Sequence, residues 1–138
     1  MVSNVNPVEA KRLIDEEGYE YLDVRTVEEF DAGHPAGAYN VPVAHTGMVP
    51  NGEFVAVVES VFPRDAKLVL GCKSGGRSAR AAEMLAARGY EHVVNMDGGF
   101  HGRFGPMGNV AQTGWVDEGL PTETEGSERG YQALRERS

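Results

Sequence analysis

The fold is decided by residues 67–89, KLVLGCKSGGRSARAAEMLAARG. The first part, Lys67–Gly71, is a short apolar run, typical of a strand buried on both faces of a parallel sheet. The last part, Ser78–Arg88, has apolar side chains at helical spacing and ends at Gly89, so it predicts a helix. The glycine-rich loop that begins at Cys72 therefore joins the carboxyl end of a strand to the amino end of a helix.

Strands and helices alternate along the rest of the chain. Short β-type runs predict strands at residues 21–24, 38–41 and 92–96. Asn6 and Thr26, each followed three residues later by a glutamate, predict two helix starts, and apolar spacing predicts a helix at 54–62. This alternation predicts an α/β fold with a parallel sheet, in which sites form beyond the carboxyl ends of the strands. Cys72 lies at such an end.

The last part of the chain is weakly patterned. Gly102–Gly114 is rich in glycine and is expected to be a long loop. After Pro121 the sequence is polar, and we expect a frayed helix or disorder there. The predicted organisation is one domain over residues 1–121 and a polar C-terminal tail over residues 122–138.

Composition excludes several classes of function. The chain has 138 residues and a formal net charge of −8, which disfavours a general binder of nucleic acid or of an anionic membrane surface. The apolar runs are too short to cross a bilayer, and the first residues lack the basic and apolar regions of a signal peptide. We therefore expect a soluble, cytoplasmic protein that contacts neither nucleic acid nor membrane.

The single cysteine and the scattered histidines exclude further kinds of site. One cysteine, Cys72, permits no internal disulfide and no multi-cysteine zinc or iron–sulfur site. The four histidines show no i, i+4 pair of the kind that ligates zinc on a helix. We expect no metal and no cofactor.

The loop from Cys72 to Ser78 has features that favour a thiolate, the reactive form of cysteine. It leads into a helix N-terminus, whose amides attract negative charge. Gly75 and Gly76 allow several backbone N–H groups to point inward, and Lys73 and Arg77 add positive charge. A plainer interpretation is a buried free cysteine followed by a surface glycine turn. The glycine-loop motifs that bind nucleotides are absent.

At these residues the sequence resembles the rhodanese family of sulfurtransferases in its single-domain form. The resemblance extends from about residue 6 to residue 121 and rests on three motifs in order. They are Tyr21–Arg25 with Glu29-Phe30 and Gly33–Pro42, then Cys72–Ser78, then Gly89-Tyr90 with Asn95–Phe100.

This resemblance implies a doubly wound α/β fold in which helices flank a central parallel sheet. It implies that Cys72 is the catalytic nucleophile, which takes the outer sulfur of a small donor such as thiosulfate and passes it from a persulfide to cyanide or a thiol. The acceptor could also be a protein thiol. The residues expected to bind substrate are Lys73, Ser74, Gly75, Gly76, Arg77 and Ser78. The amides of residues 73–78 would hold the sulfur, and Lys73 and Arg77 the sulfonate end of the donor.

Two other functions stay open. One is a non-catalytic binding or persulfide-carrier module of the same fold. The other is a small phosphatase or arsenate reductase, which resembles rhodaneses but has a longer loop; here four residues separate Cys72 from Arg77. The sequence also departs from the family at His101–Gly114, an apparent insertion before Trp115. We expect that insertion to border the Cys72 pocket, with Arg103 as a candidate contact, and to influence acceptor access.

Overall fold

The computed structural model describes residues 2–137. The strands are β1 (Ser3–Val5), β2 (Glu20–Asp23), β3 (His34–Pro35), β4 (Tyr39–Asn40), β5 (Ala44–His45), β6 (Val49–Pro50), β7 (Lys67–Gly71), β8 (His92–Met96), β9 (Arg103–Phe104), β10 (Val110–Gln112) and β11 (Thr122–Glu123). The helices are α1 (Pro7–Glu16), α2 (Val27–Ala32), α3 (Phe54–Val61), α4 (Gly76–Ala86) and α5 (Tyr131–Arg137), with a 3₁₀ turn at Ser127–Arg129.

A five-stranded sheet in the order β1-β8-β7-β2-β4 forms the centre of the molecule. All its pairs are parallel, so the predicted α/β class is confirmed. Strand β7 pairs with both β2 and β8, and this register places Gly71 opposite Asp23 and Leu70 opposite Asn95. The residues that follow these strands therefore meet at one edge of the sheet.

Helices cover both faces of this sheet, as a doubly wound fold requires. Alternate side chains of β7 point to opposite faces. Leu68 and Leu70 pack in one apolar cluster with residues of α3, α4 and α5. Val69 packs in a second cluster with residues of α1 and with Phe30 of α2. Because β7 is covered on both sides, it is the most fully buried strand in the sheet, and it fixes the position of Cys72 firmly.

The helix starts follow the capping expected from the sequence. The Asn6 side chain accepts a hydrogen bond from the Glu9 amide at 2.8 Å, and Thr26 and Glu29 form a complete capping box. Helix α4 begins at Gly76, two residues before the predicted start, with Gly75 as N-cap at φ 121°. A backbone in this region favours glycine, and glycine has no side chain that marks a cap in the sequence.

Three segments differ from the sequence-based expectation. Gly102–Gly114 contains the antiparallel pair β9–β10 rather than only a loop. The polar edge strand β1 was not predicted. After Pro121, where a frayed helix or disorder was expected, the structure has a helix, α5, that is packed rather than frayed: Leu134 is fully buried in the core, and β11 pairs with β3. Whether residues 122–138 form a separate unit from residues 1–121 stays a prediction, but α5 contributes to the same apolar cluster as β7.

Within residues 2–137, no helix is both long enough and apolar enough to span a bilayer.

Candidate active site

Cys72 lies directly after β7, at the carboxyl edge of the sheet, where parallel α/β folds place their sites. Its side chain is 2% exposed. The Gly75 amide donates a hydrogen bond to Cys72 Sγ at 3.1 Å. The sulfur is therefore buried at the base of the loop and in contact with a main-chain donor.

A second loop holds the Cys72 loop in this shape. The amides of Phe100, His101 and Gly98 donate to the carbonyl oxygens of residues 72, 73 and 74, at 2.8, 2.9 and 3.2 Å respectively. In a trans peptide the C=O of one residue points opposite to the N–H of the next. With these carbonyls turned toward residues 98–101, the amides of residues 73–75 point the other way, and that of Gly75 reaches the sulfur.

The glycine pair allows this close approach. Gly99 has φ 60°, and a Cβ there would lie 2.5 Å from the Cys72 carbonyl oxygen. At Gly98, with φ 91°, a Cβ would lie 2.5 Å from the Thr113 carbonyl oxygen. Side chains cannot be accommodated at such distances, so Gly98 and Gly99 let two loops pack backbone to backbone.

The remaining loop amides are free to bind an added atom. Among residues 2–137, no protein atom accepts a hydrogen bond from the amides of residues 73, 74, 76, 77 and 78. Orphan amides at the start of a helix favour an anion. The structure thus shows one of the contacts expected between amides 73–78 and the sulfur. The others stay a prediction for the sulfur-loaded state.

Ser78 lies behind the sulfur on the first turn of α4. Its hydroxyl oxygen is 3.4 Å from Cys72 Sγ and 2.5 Å from the Asn95 side-chain oxygen. Asn95 lies in β8 and is buried. Ser78 therefore contacts the nucleophile directly, and Asn95 of the sheet contacts Ser78.

Arg77 is engaged by Glu29 of helix α2. Its guanidinium donates to the two carboxylate oxygens at 2.9 and 3.2 Å, and the side chains are 15% and 31% exposed. Partial burial opposes ionisation of Glu29, but hydrogen bonds from Arg77 and the Thr26 amide outweigh it and lower the pKa of Glu29 to about 2. The same hydrogen bonds raise the pKa of Arg77. Both groups are charged at neutral pH.

Glu29 lines two openings on the surface. One cavity of about 320 Å³ is lined by Arg25, Glu29, Lys73, Phe100 and His101, together with Ala32 and Gly33. The other, of about 440 Å³, contains Glu29 and Arg77 with residues of the β5–β6 turn. Larger grooves of about 530 Å³ lie along the C-terminal segment and contain no residue of the Cys72 loop.

The other two cations near the site, Arg25 and Lys73, differ in whether a carboxylate already binds them. Arg25 is buried and bonded to both oxygens of Asp23, with its guanidinium carbon 4.4 Å from the centre of the Phe100 ring. Lys73 is exposed and forms no ion pair within residues 2–137. Of the two cations expected to bind the donor, Lys73 is available and Arg77 is already paired.

The insertion borders the site only at its beginning. His101 bonds to the Lys73 carbonyl oxygen through its amide and lines the 320 Å³ cavity. Arg103 is not directed at Cys72: it pairs with Asp97 at 2.8 Å, and this hydrogen bond lowers the pKa of Asp97. The rest of the hairpin carries the exposed side chains of Phe104 and Met107.

Sequence reasoning missed Glu29 and Asn95 as site residues. The capping motif at Thr26 already explained Glu29 as a helix-capping residue. Asn95 stood out only as one polar residue in an apolar strand. Neither pattern indicated a contact with the Cys72 loop. Both meet the Cys72 loop only because β2, β7 and β8 are neighbours in the sheet.

Comparison with known proteins agrees with this architecture. A family profile described as "Rhodanese-like domain" matches residues 6–102. The chain is 38% identical over 109 residues to "Thiosulfate sulfurtransferase 16, chloroplastic" of Arabidopsis thaliana, covering 77% of this chain and 81% of that protein. It is 36% identical over 120 residues to "Senescence-associated protein DIN1" of Raphanus sativus, covering 85% of this chain but only 59% of that protein.

A solved structure supports the same fold. The crystal structure of Rv0390 from M. tuberculosis superposes with a TM-score of 0.74 at 28% identity, over 90% of this chain and 98% of that one. Several relatives are named as chloroplastic proteins and another as mitochondrial, so the relatives do not support the cytoplasmic location expected from the sequence, which stays a prediction.

Proposed function

We propose that this chain, which belongs to the rhodanese-like domain family, is a sulfurtransferase that carries sulfur as a persulfide on Cys72. The observation that supports this most strongly is the hydrogen bond from the Gly75 amide to Cys72 Sγ, in a loop whose other amides have no protein acceptor among the described residues 2–137. These donors are placed to stabilise a thiolate and the outer sulfur of a persulfide.

In the first half-reaction, the Cys72 thiolate attacks the outer sulfur of a donor such as thiosulfate. A bond forms between Sγ and that sulfur, the bond from that sulfur to the sulfonate breaks, and sulfite leaves with the electron pair. Lys73, exposed at the rim, is the available cation for the sulfonate. The unpaired amides of the loop would receive the charge of the transferred sulfur.

In the second half-reaction, an acceptor such as cyanide or a thiol attacks the outer sulfur and releases the Cys72 thiolate. This is covalent catalysis with ping-pong kinetics. Sulfur passes between nucleophiles, so no general base is needed once the thiol is ionised. A small donor and a small or protein-borne thiol acceptor are the partners that this chemistry requires.

We expect access to Cys72 through the rim formed by Lys73, Arg77 and Glu29. The sulfur is buried, and Lys73, the residue that follows Cys72, lines the 320 Å³ cavity. A small anion fits this opening. A protein acceptor would have to bring its thiol to the rim at the end of a flexible or protruding segment.

The test is a thiosulfate:cyanide assay that follows thiocyanate formation, with Cys72→Ser as the inactive variant and Ser3→Ala, at an exposed residue of β1, as an active surface control. We expect turnover in the wild type and in Ser3→Ala, and none in Cys72→Ser. A folded wild type without thiocyanate formation would instead favour the binding or carrier module. Hydrolysis of p-nitrophenyl phosphate dependent on Cys72 would favour the phosphatase.

A further inference from the structure

The hydroxyl group of Ser78 has one hydrogen and three possible acceptors. These are the Asn95 side-chain oxygen at 2.5 Å, the Gly75 carbonyl oxygen at 3.3 Å and Cys72 Sγ at 3.4 Å. A hydroxyl donates one hydrogen bond at a time. The distances place that hydrogen on Asn95, so in this structure it is withheld from the sulfur.

The orientation of the Asn95 amide follows from its other contacts. Its nitrogen donates to the Asn4 side-chain oxygen at 2.9 Å and to the Gly75 carbonyl oxygen at 3.3 Å. An amide nitrogen has two hydrogens, and both have acceptors here, so the amide oxygen must face Ser78. Asn4 lies opposite Asn95 in the parallel pair of β1 and β8, which holds the amide in place.

We propose that Asn95 is a positioning residue that holds the Ser78 hydroxyl hydrogen away from Cys72, so that Asn95 and the sulfur compete for one donor. When negative charge develops on Sγ, the hydroxyl turns to the sulfur and leaves the Asn95 oxygen. Ser78 and Asn95 are both buried, so water does not readily replace the lost bond. Asn95 therefore makes the thiolate less stable than it would be beside a freely rotating Ser78.

Such competition matters for a cysteine that must be both nucleophile and leaving group. The catalytic meaning of this competition rests on the proposed function of Cys72 as that nucleophile, whereas the competition for the hydroxyl hydrogen does not. A lower pKa gives more thiolate at neutral pH but a weaker nucleophile. The Ser78 hydroxyl can donate its hydrogen either to the sulfur or to Asn95. It can therefore set the balance between thiolate fraction and nucleophilicity without a charged residue.

The charged and titratable groups around the sulfur come from other elements. Tyr21 of β2 and Arg77 of α4 interact electrostatically with Cys72, Glu29 of α2 is paired with Arg77, and Lys73 is the next residue in the chain. Within residues 2–137, none of them hydrogen-bonds to Ser78 or Asn95. Substitutions at these two positions therefore leave the charges around Cys72 unchanged.

The experiment measures the rate of Cys72 alkylation by iodoacetamide as a function of pH. The chain has one cysteine, so the apparent pKa belongs to that residue. We expect Asn95→Ala to lower this pKa by about 0.5 to 1, the effect of one hydrogen bond gained by the thiolate. We expect Ser78→Ala to raise it. Ser3→Ala, at an exposed residue of β1 whose side chain forms no hydrogen bond within residues 2–137, serves as the control and should leave it unchanged.

The double variant Ser78→Ala/Asn95→Ala separates this mechanism from a general loosening of the loop. Its pKa should equal that of Ser78→Ala alone, because without the hydroxyl there is nothing for Asn95 to withhold. If Asn95→Ala lowers the pKa equally in both backgrounds, or does not lower it in either, the proposal is wrong. Should Asn95→Ala fail to fold by circular dichroism, Asn95→Leu fills the site without an acceptor oxygen, and Ser78→Ala alone must still raise the pKa.

Alkylation needs no sulfur donor, so this result is independent of the proposed function. A protein that shows the coupled pKa shifts but forms no persulfide with thiosulfate keeps the role of Asn95 and loses the sulfurtransferase activity. A protein that forms the persulfide without those pKa shifts keeps the sulfurtransferase activity and loses the proposed role of Asn95.

Discussion

Replacing Glu29 with Gln should raise kcat/KM for thiosulfate. Glu29 holds the Arg77 guanidinium through two hydrogen bonds and places a negative charge at the rim of the cavity beside Lys73. Its pKa of about 2 keeps it ionised at neutral pH. The substitution removes a charge that repels a dianionic donor and replaces the ion pair with a weaker neutral contact, so that Arg77 can turn to the donor more easily. Gln at this position keeps the capping box of α2.

The expected rise in kcat/KM follows from how far the Glu29 and Arg77 side chains are exposed to solvent. Two unit charges 4 Å apart interact by about 4 kcal/mol at an effective dielectric constant near 20 and by about 1 kcal/mol in water. Because Glu29 is 31% exposed, solvent screens it strongly and the lower part of this range applies. A gain of about 1.4 kcal/mol corresponds to a rise of about tenfold in kcat/KM for thiosulfate.

The assay is the initial rate of thiocyanate formation at varied thiosulfate concentration. Glu28→Gln is the matched control, since Glu28 lies in the same turn of α2 and accepts a hydrogen bond from Thr46 rather than from Arg77. We expect kcat/KM for thiosulfate to rise in Glu29→Gln and to change little in Glu28→Gln. An unchanged value in Glu29→Gln, or an equal rise in both variants, would refute the reasoning.

Three further predictions concern the fold around the site. Gly99→Ala places a Cβ 2.5 Å from the Cys72 carbonyl oxygen, so it should slow thiocyanate formation at least tenfold. Turnover at the wild-type rate would show that the Gly98-Gly99 loop can move away from the Cys72 loop at no cost. Leu134→Ala should lower the free energy of unfolding in urea by about 2–5 kcal/mol, because the side chain is fully buried; a loss below about 0.5 kcal/mol would mean that α5 is not part of the core. Between pH 6 and pH 3 the wild type should lose about 1 kcal/mol more stability than Glu29→Gln. The pKa of Glu29 is lower in the folded chain than its ordinary 4.5, so its contribution is complete above that value and is lost as the pH falls toward 2; parallel pH profiles would contradict this.

The central strands and the site cysteine could be predicted from sequence because local pattern determines them. The apolar run Lys67–Gly71 has to be covered on both faces, and the alternation of strands and helices then makes the sheet parallel. The position of Cys72 after β7 follows directly. The close approach of Gly99 to the Cys72 carbonyl oxygen could not be predicted in the same way, because it depends on the packing of two distant loops.

The parts that could not be predicted depend on long-range pairing or on short, weak patterns. Arg77 was expected to bind the donor, yet it is held by a glutamate 48 positions away, and no local pattern connects the two. The large apolar residues of the C-terminal segment are Tyr131 and Leu134, three residues apart on one face of a short helix. Two apolar side chains are too few to indicate a buried helix, although together they bury it against the core.

The most direct test of the account is the intact mass of the protein after incubation with thiosulfate and removal of excess donor. We expect the wild type to gain the mass of one sulfur atom, cyanide to remove it, and Cys72→Ser to gain none. A wild type of unchanged mass, or the same gain in Cys72→Ser, would contradict the claim that this loop stabilises a persulfide on its cysteine.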